Sequence, residues 1–291
     1  MSLTSDARGT LHRGLVGEGT ARFLAVSLAE LAELTRTQHD LDPDAARIAA
    51  ELMVCTALMS AWVKGSERIT LQVQSERPAF GTVCEVDAEG GLRARFHPGV
   101  IRMSAETGID GLMLAIKADV TRELYRGVTA LQGRSLEEAL RAHLIESSQV
   151  DVVLRIGIGQ DPSGRVRFAG GVVVERLPDD PKLPSIEPEA FSATYSPIEA
   201  VPVEDTLTAL AFGKIVDQSV EVLENRSLRW RCSCSQERIE AVIYNLGPAE
   251  LRAMWAEDHG AEISCHFCNL TYRVTADRLL ELIAAHDQPE A

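Results

Sequence analysis

Four cysteines set in two tight pairs constrain this chain more than any other feature. Cys232-Ser233-Cys234 and Cys265-His266-Phe267-Cys268 stand thirty residues apart, near the end of a 291-residue chain that holds six cysteines in all. A tetrahedral metal ion with sulfur ligands at about 2.3 Å needs its sulfurs about 3.8 Å apart. C-x-x-C around a tight turn supplies two such sulfurs, with backbone N–H groups directed at them. In C-x-C, residues i and i+2 of an extended chain face the same side, so their side chains converge once the backbone bends. Two pairs distant in sequence then close one site. Four thiolates leave no open coordination position, which makes the site structural and not hydrolytic. The competing reading is four unrelated buried cysteines, and their pairing in a cysteine-poor chain weighs against it. Cys232, Cys234, Cys265 and Cys268 are therefore the predicted ligands, with one zinc ion as the expected cofactor. His259 and His266 lie close by and are read as surface residues. Cys55 and Cys84 fall within helix and strand patterns and are read as small buried hydrophobes.

Charge narrows the class of partner. A formal net charge of −14 disfavours phosphate backbones and anionic lipid surfaces. The N-terminal "MSLTSDARGTLHRG" has no apolar stretch of signal-peptide length. No run is read as reaching the roughly 18 apolar residues of a membrane span. The expected location is cytoplasmic, where thiols are kept reduced, so clustered cysteines point to metal or redox chemistry before structural disulfides.

The predicted fold is α+β, in three parts. Residues 1–177 read as a core domain, a mixed sheet flanked by helices. "TARFLAV" is a strand, and Ser27 with Glu30 makes a capping-box pattern for the helix after it. Asp42-Pro43 opens the longest helix, to about Lys64, with Gly65 as its stop. Ile48, Leu52, Cys55, Met59 and Trp62 recur at helical spacing and predict one buried face. "ITLQVQ", "FGTVCEV" and "LRARFH" read as strands, the last two around the turn "DAEGG". Ser135 and Glu138 make a second capping box. "VDVVLRIGI" and "RVRFAGGVVVERL" form another pair around "DPSG". Residues 178–228 read as a linker. Six of the twelve prolines fall between Pro178 and Pro202, and seven acidic residues face one lysine between Pro178 and Asp205. Within it "DTLTALAFGKIVD" predicts a short helix, and "SVEVL" with "LRWRC" a hairpin around "ENRS". Residues 229–291 read as a small four-cysteine domain, with helices at Pro248 and after Thr275.

The motifs "RCSCSQERI" and "CHFCNLTYRV" resemble those of the redox-regulated heat-shock chaperonins of 33 kilodaltons. The resemblance covers nearly the whole chain in order and length and is most specific over residues 229–274. That family often has Gly after the last cysteine. Asn269 stands there in this chain and tolerates a left-handed backbone. The linker is richer in proline than the family pattern. The resemblance implies an ATP-independent holdase and not an enzyme: quiet when reduced and zinc-bound, active when its cysteines are oxidised. The implied partners are unfolded or partly folded client proteins and, in the oxidised state, a second copy of the chain, with no nucleic acid and no membrane. Sequence proximity favours disulfides Cys232–Cys234 and Cys265–Cys268, and the family pairs its matching positions in this way. Neither bond spans the thirty-residue segment between the pairs, whereas a cross-pair such as Cys234–Cys265 would preserve the clamp.

Three rivals stand beside this reading. A nucleic-acid-binding zinc module is disfavoured by six Arg against ten Asp/Glu over residues 229–291. A thiol–disulfide oxidoreductase using Cys265 and Cys268 would normally open a helix with that motif, and here short strands are expected on either side. A structural zinc domain with no switch is the third. "GQDPSGR" lacks the Lys and Ser/Thr of a phosphate loop and reads as a hairpin turn.

Overall fold

The computed structural model describes residues 7–16, 21–75, 80–96, 110–148, 152–177 and 220–287. They fall into two units, divided between Arg231 and Cys232. Residues 178–219, where most of the expected linker and its short helix fall, lie outside the described residues.

In the first unit, alternating runs become strands and helices cover one face of the sheet they form. The order along the chain is β1 Arg8–Val16, β2 Ala21–Ser27, α1 Ala29–Gln38, α2 Pro43–Leu58, β3 Arg68–Ser75, β4 Phe80–Asp87 and β5 Gly91–Arg95. Then come β6 Leu112–Ala118, β7 Glu123–Ala130, α3 Leu136–Ser148, β8 Val152–Gln160, β9 Val166–Arg176 and β10 Val220–Trp230. Ten strands make one sheet in the order β7-β6-β3-β4-β5-β10-β1-β2-β9-β8. The α+β expectation holds.

β10 departs from what its sequence suggests. "SVEVL" and "LRWRC" were expected to form a hairpin around "ENRS", within a linker reaching residue 228. Instead Val220–Trp230 is one strand. Asn225 and Ser227, turn-like in composition, pair with His12 and Thr10 of β1. That ladder bulges between Arg13 and Gly14, and a Cβ on Gly14 would lie 1.9 Å from the Glu221 carbonyl oxygen. On its other side β10 meets β5 in parallel through Arg229↔Gly91 and Trp230↔Leu92. The β4–β5 turn fits there because Gly90 takes φ +81, and a Cβ on it would come within 2.6 Å of the Ser227 carbonyl. The Arg231 guanidinium then reaches Glu89 at 2.5 Å and Asp87 at 3.3 Å.

α2 starts as expected. Asp42 accepts a hydrogen bond from the Ala45 N–H at 2.9 Å, and Pro43 takes the first helical position. It ends sooner than expected. Helix gives way to a tighter turn over Met59–Trp62, and Gly65 follows at φ +59. The helix does not bury one face only. From Ala46 to Leu58 nearly every side chain is buried, since α2 lies on the sheet and is flanked by α1 and α3. Pro43–Trp62 is 20 residues long and passes, by length and composition, as a membrane span, although its apolar run "LMVCTALMSAWV" reads from the sequence as too short for one. Its most apolar window is 72% buried inside the protein, as suits a core helix. Cys55 and Cys84 are both fully buried free thiols.

The second unit contains α4 Gln236–Tyr244, α5 Pro248–Asp258, β11 Gly260–Ser264, β12 Thr271–Thr275 and α6 Ala276–Asp287. Its core is small: Ile243, Leu251, Val274, Leu279, Leu282 and Ile283. Thr275 caps α6 by accepting from the Arg278 N–H at 3.3 Å.

Candidate metal centre

The two cysteine pairs are carried by two different local devices. Cys232 and Cys234 lie in the irregular stretch before α4. Ser235 caps that helix by accepting from the Arg238 N–H at 3.3 Å, and the Arg238 guanidinium donates to the Ser233 carbonyl at 2.8 Å. These bonds bend the C-x-C segment, the bend that i, i+2 spacing requires. Cys265 and Cys268 lie in the loop between β11 and β12, which pair antiparallel from Gly260↔Thr275 to Ser264↔Thr271. The Asn269 N–H donates to the Cys265 carbonyl at 2.8 Å, and the Cys265 N–H to the Leu270 carbonyl at 2.9 Å. Closing the loop so tightly places Asn269 at φ +55, the left-handed region expected of it. The C-x-x-C pair therefore sits between two strands and does not open a helix.

All four sulfurs meet. Cys232 and Cys234 Sγ are 3.3 Å apart, Cys234 and Cys268 3.3 Å, Cys232 and Cys265 3.6 Å. Every ligand atom lies within 4.8 Å of the others, so the group is able to hold one metal ion. The three short separations lie a little under the edge of about 3.8 Å for four sulfurs around a tetrahedral ion. His259 and His266 are exposed, and neither belongs to the group. Among the described residues this is the one such cluster of His, Cys, Asp or Glu side chains. Cys234 Sγ is as near to Cys268 as to Cys232, so its distances do not choose between a local and a cross-pair disulfide.

Hydrogen bonds and burial decide how these sulfurs carry charge. Burial pushes the Cys232 thiol up to about 11, although the Cys234 N–H favours its thiolate. Burial likewise pushes Cys268 far up, against a hydrogen bond from the Leu270 N–H. At Cys234 burial acts upward too, but hydrogen bonds from the Tyr272 hydroxyl and the neighbouring thiols outweigh it and hold this thiol below its ordinary value. The Tyr272 O–H donates to Cys234 Sγ at 2.9 Å. Four sulfurs so close, three half-buried and Cys268 buried, and supplied with N–H and O–H donors, are a poor set of free thiols and a suitable set of thiolates for a soft cation. The residues present fit such an ion.

The sequence reading brought together the four cysteines and missed Tyr272, Ser235 and Arg238. The Ser235 cap was legible as a Ser before "QERIEAV". Tyr272 lies within the motif "CHFCNLTYRV", but nothing in that string marks it as a partner of a sulfur from the other pair.

The whole chain has relatives. A family model described as "Hsp33 protein" matches residues 9–275. A 33 kDa chaperonin of Bacillus velezensis is 25% identical over 284 residues, covering 94% of this chain and 97% of the relative. One of Halalkalibacterium halodurans is 28% identical over 286 residues, covering 92% and 96%. The crystal structure of a 33 kDa chaperonin from Thermotoga maritima superposes with a TM-score of 0.76 at 21% identity, over 95% of this chain and 98% of that one, and shares the fold. Because the family match runs across both units, the chain belongs to the Hsp33 family of 33 kDa chaperonins.

Proposed function

We propose that this protein is a redox-regulated, ATP-independent holdase whose switch is a zinc ion held by Cys232, Cys234, Cys265 and Cys268. The observation that carries the reading is the convergence of four thiols from the two ends of one thirty-residue segment, in a chain of the chaperonin family. Zinc, when bound, supplies the cross-link that a small unit lacks, with an apparent 10–16 kcal/mol on the order of a whole domain's stability. The six-residue core of the second unit is modest for some 60 residues, so the fold of that unit depends on the clamp.

Oxidation removes the clamp. A thiolate attacks a peroxide, the O–O bond breaks, and hydroxide leaves as a sulfenic acid forms. A second thiolate then attacks that sulfur and releases a second hydroxide, so two thiolates and one peroxide give one disulfide. Pairing Cys232 with Cys234 and Cys265 with Cys268 gives back at most about 2 kcal/mol each through loop closure. It leaves the ends of the intervening segment free. The unit then opens, and apolar surface becomes available to unfolded clients.

The test follows aggregation of a thermally unfolding client protein, without ATP, in the presence of the reduced and of the peroxide-treated chain. Zinc release is read in parallel with a chromogenic indicator. The expected result is suppression by the oxidised form alone, in step with the release of one zinc per chain. Equal suppression by both forms, or suppression with the metal still bound, would overturn the switch.

A further inference from the structure

We infer that Tyr272 is a positioning residue that sets how readily the thiol centre is oxidised, by hydrogen-bonding the sulfur of Cys234. The inference rests on the metal-thiolate reading above and adds a residue outside the four ligands. Its O–H donates to Cys234 Sγ at 2.9 Å. The donor is fixed by structure. Tyr272 stands in β12 opposite Ile263 of β11, and that hairpin also carries the loop bearing Cys265 and Cys268. One short sheet therefore presents two thiols directly and reaches a third, from the other pair, through a phenol. Cys234 is also central in the sulfur group, at 3.3 Å from both Cys232 and Cys268.

A hydrogen bond to a metal-bound sulfur draws on the lone pair that would otherwise attack an oxidant, and it lowers the donor strength of that sulfur toward the metal. Cys234, which is also within reach of either neighbour for the second step, is thereby restrained. With the phenol in place, the peroxide O–O bond is attacked less readily at Cys234, and oxidative release of the metal is slower than four bare thiolates would give.

The test is Tyr272→Phe in the full-length reduced protein, which removes the oxygen and keeps the ring. Peroxide-driven zinc release is expected to accelerate roughly 3–10-fold, the share of a charge-assisted hydrogen bond that a thiolate's nucleophilicity reports. Cobalt-loaded protein gives a second readout, one that packing alone would not move. Without the O–H the sulfur lone pair rises, so the sulfur-to-cobalt charge-transfer band shifts to lower energy. If the Phe variant does not fold, 3-fluorotyrosine in place of tyrosine keeps the ring and makes a stronger donor. The band then shifts to higher energy and release slows. Unchanged release and unchanged bands in the substituted protein overturn the role of Tyr272 while leaving the metal site standing. Wild-type protein that takes up neither zinc nor cobalt in stoichiometric amount overturns the metal reading and this inference together.

Discussion

Asn269 shows how far one residue can be read in advance. Its position after the last cysteine predicted a left-handed backbone, and φ +55 is what the loop adopts, with its N–H closing on the Cys265 carbonyl. A β-branched side chain there meets a steric cost of about 1–2 kcal/mol that Asn largely escapes. Asn269→Val should therefore weaken zinc binding about tenfold in a competition with a chelator, and Asn269→Gly should leave it unchanged or tighter. The cysteines were legible for the same reason as Asn269: spacing and backbone need are local. Tyr272 was not, because what it touches lies 38 residues away.

Elements were legible where local signals and tertiary demands agree. Ser135 and Glu138 form the reciprocal cap expected of them, with the Ser135 N–H donating to the Glu138 carboxylate at 2.9 Å and the Glu138 N–H to the Ser135 hydroxyl at 3.2 Å. Ser27 and Glu30 carry the same pattern and form no cap. Ser27 is the buried end of β2, paired with Thr10 and Gly170, and the Glu30 carboxylate instead accepts from the Arg8 N–H. Sheet pairing has overruled a local motif. β7 went unread because it is an edge strand, exposed along most of its length, with no alternation to see.

Two carboxylates that join elements predict opposite pH behaviour. Burial alone would raise Glu33, but hydrogen bonds from Arg36 and from the Val166 N–H outweigh it and lower its pKa below the usual 4.5. The stability it contributes between α1 and β9 is present above about 4.5 and is lost as pH falls through its folded value. Burial raises Glu51, and the Glu137 N–H and Arg47 do not compensate. For Glu51 stability is greatest below about 4.5 and declines as pH rises through its folded value. Urea melts should show Glu33→Gln less stable by about 1 kcal/mol at pH 7 and Glu51→Gln more stable by a similar amount, the Glu51 difference fading as pH falls to about 4.5 and the Glu33 difference only below that.

At the scale of the molecule, the two units differ in what holds them. The first has a ten-stranded sheet and a long buried helix, and the second has six buried apolar residues and four thiols. Zinc chelation under reducing conditions should therefore remove amide-exchange protection from 232–287 and leave the strands of the large sheet protected. Loss of protection throughout would contradict two independently held units. The division itself was only partly legible. Composition marked the proline-rich stretch but not that the sheet takes the chain back at Val220, because the pairing of Asn225 with His12 spans most of the sequence.

The strand that delivers the chain to Cys232 is an interior one. A rim strand frays by losing a single ladder, but β10 is laced to β1 over nine positions and pinned to β5 at its exit. Whatever melts downstream meets that seam at Arg231 before it meets the fabric behind it. Under the switch proposed above, the tail would come apart and be rebuilt while the nine rungs that join β10 to β1 stay paired.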